Sequence, residues 1–131
     1  MIDCENEVYT RVAKVLRDKF PDVSVAGEYV HAPSTFPHVS ITQSDNTTIA
    51  ELTTDCAEMA HVMFEINAYS NKVEGKKTEC KAIMNEIDKV LFGMNFRRIA
   101  LTPVPNLEDA TIYRMVARYG VATDGQHFYR R

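Results

Sequence analysis

The chain has 131 residues, 45% hydrophobic and 25% charged, which fits one globular domain spanning 1–131 with a core that needs no staples. No apolar run approaches the ~20 residues of a membrane helix, and Cys4, Cys56 and Cys80 form no C-x-x-C pair and leave one over, which excludes a disulfide framework. The net charge of −3 hides a lopsided distribution. Between Lys19 and Lys72 no Lys or Arg occurs, while Asp22, Glu28, Asp45, Glu51, Asp55, Glu58 and Glu65 supply acid. From Asn95 onward Arg97, Arg98, Arg114, Arg118, Arg130 and Arg131 outweigh Glu108, Asp109 and Asp124. Opposite blocks of this kind can steer two copies of one chain together head to tail. The start, Met1-Ile2-Asp3-Cys4-Glu5, lacks the basic and apolar stretches of a signal peptide, and the expectation is a protein kept in the cytoplasm where it is made.

Asp3 is the expected N-cap of a first helix, with Glu5 and Glu7 in its first turn where the helix dipole favours acids. Val8, Val12, Val15, Leu16 and Phe20 recur at helical spacing until Pro21 stops the run. Val23, Val25 and Tyr29 alternate across Gly27 as a short strand. Pro33 and Pro37 bracket a loop, and Val39 and Ile41 mark a second strand. From Gln43 to Glu58 the chain is polar and threonine-rich, with Ile49 and Leu52 as its clear apolar positions. It reads as a long loop, mobile in the free subunit, and long loops in compact domains are usually functional or disordered. Val62, Phe64, Ile66 and Ala68 then form the inner face of a third strand, opposite His61, Glu65 and Asn67.

A second helix over 74–93 shows Cys80, Ile83, Met84, Ile87, Val90, Leu91 and Met94 on one face, and Gly93 is its expected C-terminal cap. Ile83, Ile87, Val90 and Leu91 should pack on the sheet through Phe64 and Ile66. A fourth strand runs from Phe96 to Thr102, ended by Pro103-Val104-Pro105-Asn106. In a fifth, from Thr111, Tyr113, Met115, Ala117, Tyr119 and Val121 face one way and Arg114 and Arg118 the other. Asp124-Gly125 suits a two-residue type I′ hairpin, with Gln126 to Arg131 returning as a short last strand. The fold expectation is therefore α+β, order α-β-β-β-α-β-β-β, with two helices on one face of a mostly antiparallel sheet.

The chemistry-bearing residues do not converge on a reaction. His31 and His38 are separated by two prolines, His61 and His127 lie on separate strands, and no helical H-x-x-x-H or Cys/His cluster exists, so no metal site is expected. Cys80 falls on an apolar helix stripe and reads as a buried structural thiol, whereas Cys56 lies in the polar stretch and should be exposed. Asp55 with Glu58, and Glu108 with Asp109, sit in polar segments without the apolar surroundings that raise a carboxyl pKa. No G-x-S-x-G, G-x-G-x-x-G or P-loop occurs. Arg114 and Arg118 share a strand face that could grip phosphate, but Tyr113 and Tyr119 point the other way, unlike the exposed aromatics of RNA-binding sheets. The expectation is a non-enzyme without cofactors.

Two stretches carry a likeness to a known family. One is Phe64-Glu65-Ile66-Asn67-Ala68-Tyr69-Ser70 with the Lys-rich amphipathic helix after it. The other is Ile112-Tyr113-Arg114-Met115-Val116-Ala117-Arg118-Tyr119 with its hairpin and Phe128-Tyr129-Arg130-Arg131. In size, element order and these stretches, over nearly the full chain, the sequence resembles the tail terminator (tail completion) proteins of long-tailed bacteriophages. The resemblance implies a structural virion protein, assembled in the host cytoplasm, that forms a six-membered ring. Such a ring caps the tail tube, ends its polymerisation and joins it to the head-closure or connector protein, while DNA passes through without specific binding. In that frame Arg114, Arg118, Arg130 and Arg131 are candidates for the ring interface, and Asp45, Glu51, Asp55 and Glu58 for a channel or inter-subunit loop. A neighbouring neck component and a small-ligand-binding α+β regulatory domain are the alternatives, the latter requiring a concave pocket with converging polar groups.

Overall fold

The computed structural model describes residues 2–28, 33, 35–52, 57–105, 111–125 and 127–129, with backbone alone at 49–52, 57, 58 and 105. The elements are α1 (Glu5–Lys19), β1 (Ser24–Ala26), β2 (His38–Leu52), β3 (Ala57–Ser70), α2 (Lys76–Gly93), β4 (Arg97–Pro105), β5 (Tyr113–Thr123) and β6 (Phe128–Tyr129). The expected order and class hold. The sheet runs β1-β2-β3-β5-β4, with β6 also on β5, and every pairing is antiparallel except β1 with β2.

The helices exist because each chain segment repeats apolar residues every three to four positions and so offers one stripe for burial. Val8, Val12 and Leu16 of α1, and Ile83, Ile87 and Leu91 of α2, join Val39, Ile41, Val62, Phe64, Ile66, Ala68, Met115, Ala117, Tyr119 and Val121 in one buried cluster. The inner faces expected for α2, β3 and β5 are the observed ones, with Val90 only partly buried. Phe64 and Phe96 meet edge-on with centroids 5.7 Å apart, and Phe96 lies 5.4 Å from Phe128, which seats β6 on the same core.

The cap positions differ from the sequence reading. Cys4 occupies the N-cap of α1 without a side-chain cap, although Asp3 Oδ1 still accepts the Glu5 N–H at 3.1 Å. The second helix begins at Lys76 rather than 74, after Gly75 with φ +84°. Gly93 is its last helical residue, and the left-handed position belongs to Asn95, φ 69°. Asn95 N–H bonds to Phe92 O (3.0 Å) and Phe96 N–H to Leu91 O (2.9 Å), which is the paired bonding of a Schellman ending.

The largest correction concerns Gln43 to Glu58. Residues 43–52 and 57–58 belong to β2 and β3, which pair from His38↔Tyr69 out to Leu52↔Ala57; only 53–56 of the expected loop lie outside the described residues. Register shifts between Gln43 and Asp45 and between Thr48 and Ala50 insert extra residues, so the alternation that identifies a strand is broken twice. β5 pairs β3 only as far as Ala60↔Thr123. Beyond it β2 and β3 project as a two-stranded arm, about 10 Å of described chain at ~3.3 Å per residue.

Two smaller corrections fall at strand ends. β4 continues through Pro103 and Pro105 rather than ending before them. It lies at the sheet's edge, where a missing N–H is tolerated. The last hairpin is not a two-residue type I′ turn: Thr123 pairs Phe128, so the loop spans 124–127. Asp124 is not among the positive-φ residues, while Gly125 is, at +94°. The Asp124 carboxylate closes this loop by accepting the His127 N–H at 2.7 Å. Tyr29 of the expected first strand lies outside the described residues.

Candidate functional site

One face of the sheet carries the helices; the other carries the polar residues of β3, β4 and β5. Arg114 and Arg118 sit there as the alternation of β5 requires, opposite the buried Met115, Ala117 and Tyr119. Each has a partner within the subunit. Arg114 donates from Nε and Nη2 to Asn67 Oδ1 at 3.0 and 2.8 Å, and its guanidinium lies 5.7 Å from the Tyr69 ring centroid. Arg118 Nη2 donates to Glu65 Oε1 at 3.2 Å. Both pairs are cross-strand neighbours: β3 and β5 align Glu65 directly with Arg118, and Asn67 with Val116, two residues from Arg114. Such pairs bind adjacent strands together and keep a sheet face soluble.

Beside Arg114 the face is buried and polar. His38, Ser40 and Asn67 are 4%, 0% and 0% exposed, yet His38 Nε2, Ser40 Oγ and Asn67 Nδ2 have no hydrogen-bond partner among the described residues. Burial holds the His38 imidazole below its ordinary pKa, because the charged ring would lose its hydration.

Of the acidic candidates, Asp45 is exposed in β2, where its carboxylate accepts the Asn46 N–H at 2.9 Å and the Thr47 hydroxyl at 3.0 Å. Glu51 and Glu58 fall on one rung of the arm, as Cα partners. Asp55, Cys56, His31, Arg130 and Arg131, with the Glu108–Asp109 pair, lie outside the described residues. Cys80 is buried as expected, its thiol directed at the Ala68 and Tyr113 carbonyls at 3.7 Å each; burial and the neighbouring Glu79 push its pKa up to about 12.

A cleft of about 280 Å³ opens at the β4–β5 side of the open face, lined by His61, Asn95, Arg97, Arg98, Ile99 and Gly120 among others. Its shape comes from a bulge and a glycine. The register shift between Arg98 and Ala100 leaves Ile99 as an extra residue, while Arg97 stays opposite Gly120. A Cβ on Gly120 would meet His61 Cε1 and Ile99 Cδ1, both at 3.1 Å, so the missing side chain lets these two groups close over the strand.

Arg98 reaches Asp88 of α2 at 3.6 Å, and Asp88 also accepts the Tyr119 hydroxyl at 3.0 Å, which ties the bulge to the core. Arg97 is exposed and forms no ion pair or hydrogen bond with the described residues. Ile99 and Tyr129, 50% and 44% exposed, add apolar surface beside it. The sequence places Arg97 in the basic block, but the interface candidates it marks are Arg114, Arg118, Arg130 and Arg131. The signal that separates Arg97 from Arg114 and Arg118 is that β5 pairs with β3, which supplies Asn67 and Glu65 to Arg114 and Arg118, whereas among the described residues β4 has no strand on its outer side.

No protein-family model and no curated protein matches the chain. Among solved structures it is similar to a chain of the virion of a native gene transfer agent (GTA) particle, with a TM-score of 0.55 and 15% identity, covering 88% of this chain and 90% of that one. At this identity the two share a fold.

Proposed function

We propose that the protein is a structural component of a phage-like virion and acts there as a non-enzymatic tail terminator. In this reading six copies close into a ring that caps the tail tube, ends its polymerisation and presents the surface to which the head-closure or connector protein binds. DNA threads the ring without specific contacts, since an acidic wall repels phosphate. The observation that carries the reading is the fold shared with a virion chain over nearly the full length of both, in agreement with the family resemblance of the two sequence stretches.

Light scattering of the purified protein, combined with negative-stain imaging, tests it. A hexameric ring that arrests growth when added to polymerising tail tube subunits is the expected result. A ring that binds connector but leaves tube growth unchanged would assign it to a neighbouring neck position. A monomer at every concentration, with a melting temperature raised by a small ligand, would replace the reading with that of a binding domain.

A further inference from the structure

We infer that the Arg97–Arg98–His61 cleft receives the acidic β2–β3 arm of a second copy of this chain. The inference rests on the ring reading above and names the contact that would build it.

Three observations converge. The first is charge without a partner inside the subunit. Arg97 is exposed and unpaired among the described residues, at the mouth of a cleft that also holds Arg98 and His61. The arm brings the opposite charge: its register makes two acidic residues, Glu51 and Glu58, Cα partners, and patches of opposite sign steer two surfaces together. Between Lys19 and Lys72, the stretch that contains the arm, the chain has no Lys or Arg.

The second is placement. β2 and β4 stand at opposite sides of the β1-β2-β3-β5-β4 order. The arm leaves the sheet just beyond Ala60↔Thr123, and the cleft lies beside the next rung, His61↔Ala122. Arm and cleft are therefore at the same end of the sheet, but the arm runs away from its own cleft. Complementary patches on different sides of one subunit form a heterologous contact, the kind that closes into a ring when the rotation permits.

The third is the character of the rim. Ile99 and Tyr129 are exposed at the cleft, and arginine and tyrosine beside apolar surface are enriched at protein interfaces. A phosphate backbone would call for a broad basic stripe instead, and among the described residues of the open face Arg114 and Arg118 are engaged with Asn67 and Glu65.

The test is a charge swap, read by sedimentation across a salt series. Arg97→Glu alone and Glu51→Lys/Glu58→Lys alone should each weaken self-association at least tenfold at low salt. The three substitutions in one chain should restore it, and circular dichroism should show every variant folded. If the parent associates and Arg97→Glu associates equally well at all salt concentrations, the cleft is not the contact and only this inference falls. If both single sets weaken association but the combined variant does not recover, arm and cleft do not meet. A parent that stays monomeric removes the ring reading and the inference with it. A DNA duplex whose binding is lost on Arg97→Glu, with association unchanged, would reassign the cleft to phosphate.

Discussion

Single residues in this protein carry costs that their neighbours only partly relieve. The imidazole of His38 is buried, its Nε2 has no partner among the described residues, and burial lowers its pKa. As pH falls through about 6.5, the unfolded chain takes up this proton before the folded one does. Stability is therefore greatest above that point and declines toward the lower folded-state pKa. His38→Phe should reduce the loss of melting temperature between pH 7.5 and 5.5; an identical slope in parent and variant would show that other groups govern it. Asn95 offers a second case. It adopts φ 69° and donates from Nδ2 to Phe128 O at 2.7 Å. Asn95→Ala should cost about 1–2 kcal/mol through the left-handed penalty alone, and Asn95→Gly less, as followed by urea unfolding. Cys4 and Cys80 form a third, with thiol pKa values pushed up to about 11 and about 12 by burial and nearby acids. Almost no thiolate exists near neutral pH, so a thiol reagent should modify them only once the protein unfolds, as mapped by mass spectrometry.

At the scale of elements, α2 is the member whose packing decides the core. Ile87 is fully buried in the cluster with Phe64 and Ile66. Ile87→Ala should lower stability by about 2–5 kcal/mol in equilibrium unfolding, because truncation removes burial and leaves a cavity. An unchanged unfolding curve would place that stripe outside the core. The open face follows different rules. Arg118 with Glu65 is an exposed pair at 3.2 Å, so Arg118→Ala should change stability by less than about 1 kcal/mol. Arg114, held by two hydrogen bonds to the buried Asn67, should cost more on truncation, since Asn67 Oδ1 then loses both of these donors. The ranking of the two variants by urea midpoint separates cross-strand ties from assembly contacts.

At the scale of the whole molecule, the proposed ring makes charge distribution more consequential than net charge. Rim charges alter association rate and salt sensitivity more than final affinity. Self-association should weaken as salt rises through the range where the Debye length falls from about 10 Å to about 3 Å. The dependence should persist in Arg118→Ala and flatten in Arg97→Glu, measured by light scattering at fixed protein concentration. Equal salt slopes in the two variants would leave Arg97 no special part in assembly.

The amino-acid sequence by itself determined the class, the element order and the buried faces of α1, α2, β3 and β5, because each shows uninterrupted periodicity of 3.6 or 2. It also separated Arg114 and Arg118 from the core face, by the same alternation. The arm was illegible for a physical reason. Bulges after Gln43 and Thr48 break the period, and its threonines and acids carry no apolar signature, so a strand held by backbone pairing to β3 looks like a loop. The prolines of β4 read as a strand end because only the sheet order shows that they occupy an edge. The cleft was beyond local reading altogether. Its residues come from β3, the α2–β4 turn, β4, β5 and β6, and their meeting depends on a bulge at Ile99 and the lack of a Cβ at Gly120. Which of the described arginines find a partner inside the subunit is set by neighbours distant in the chain, and only the tertiary structure decided it.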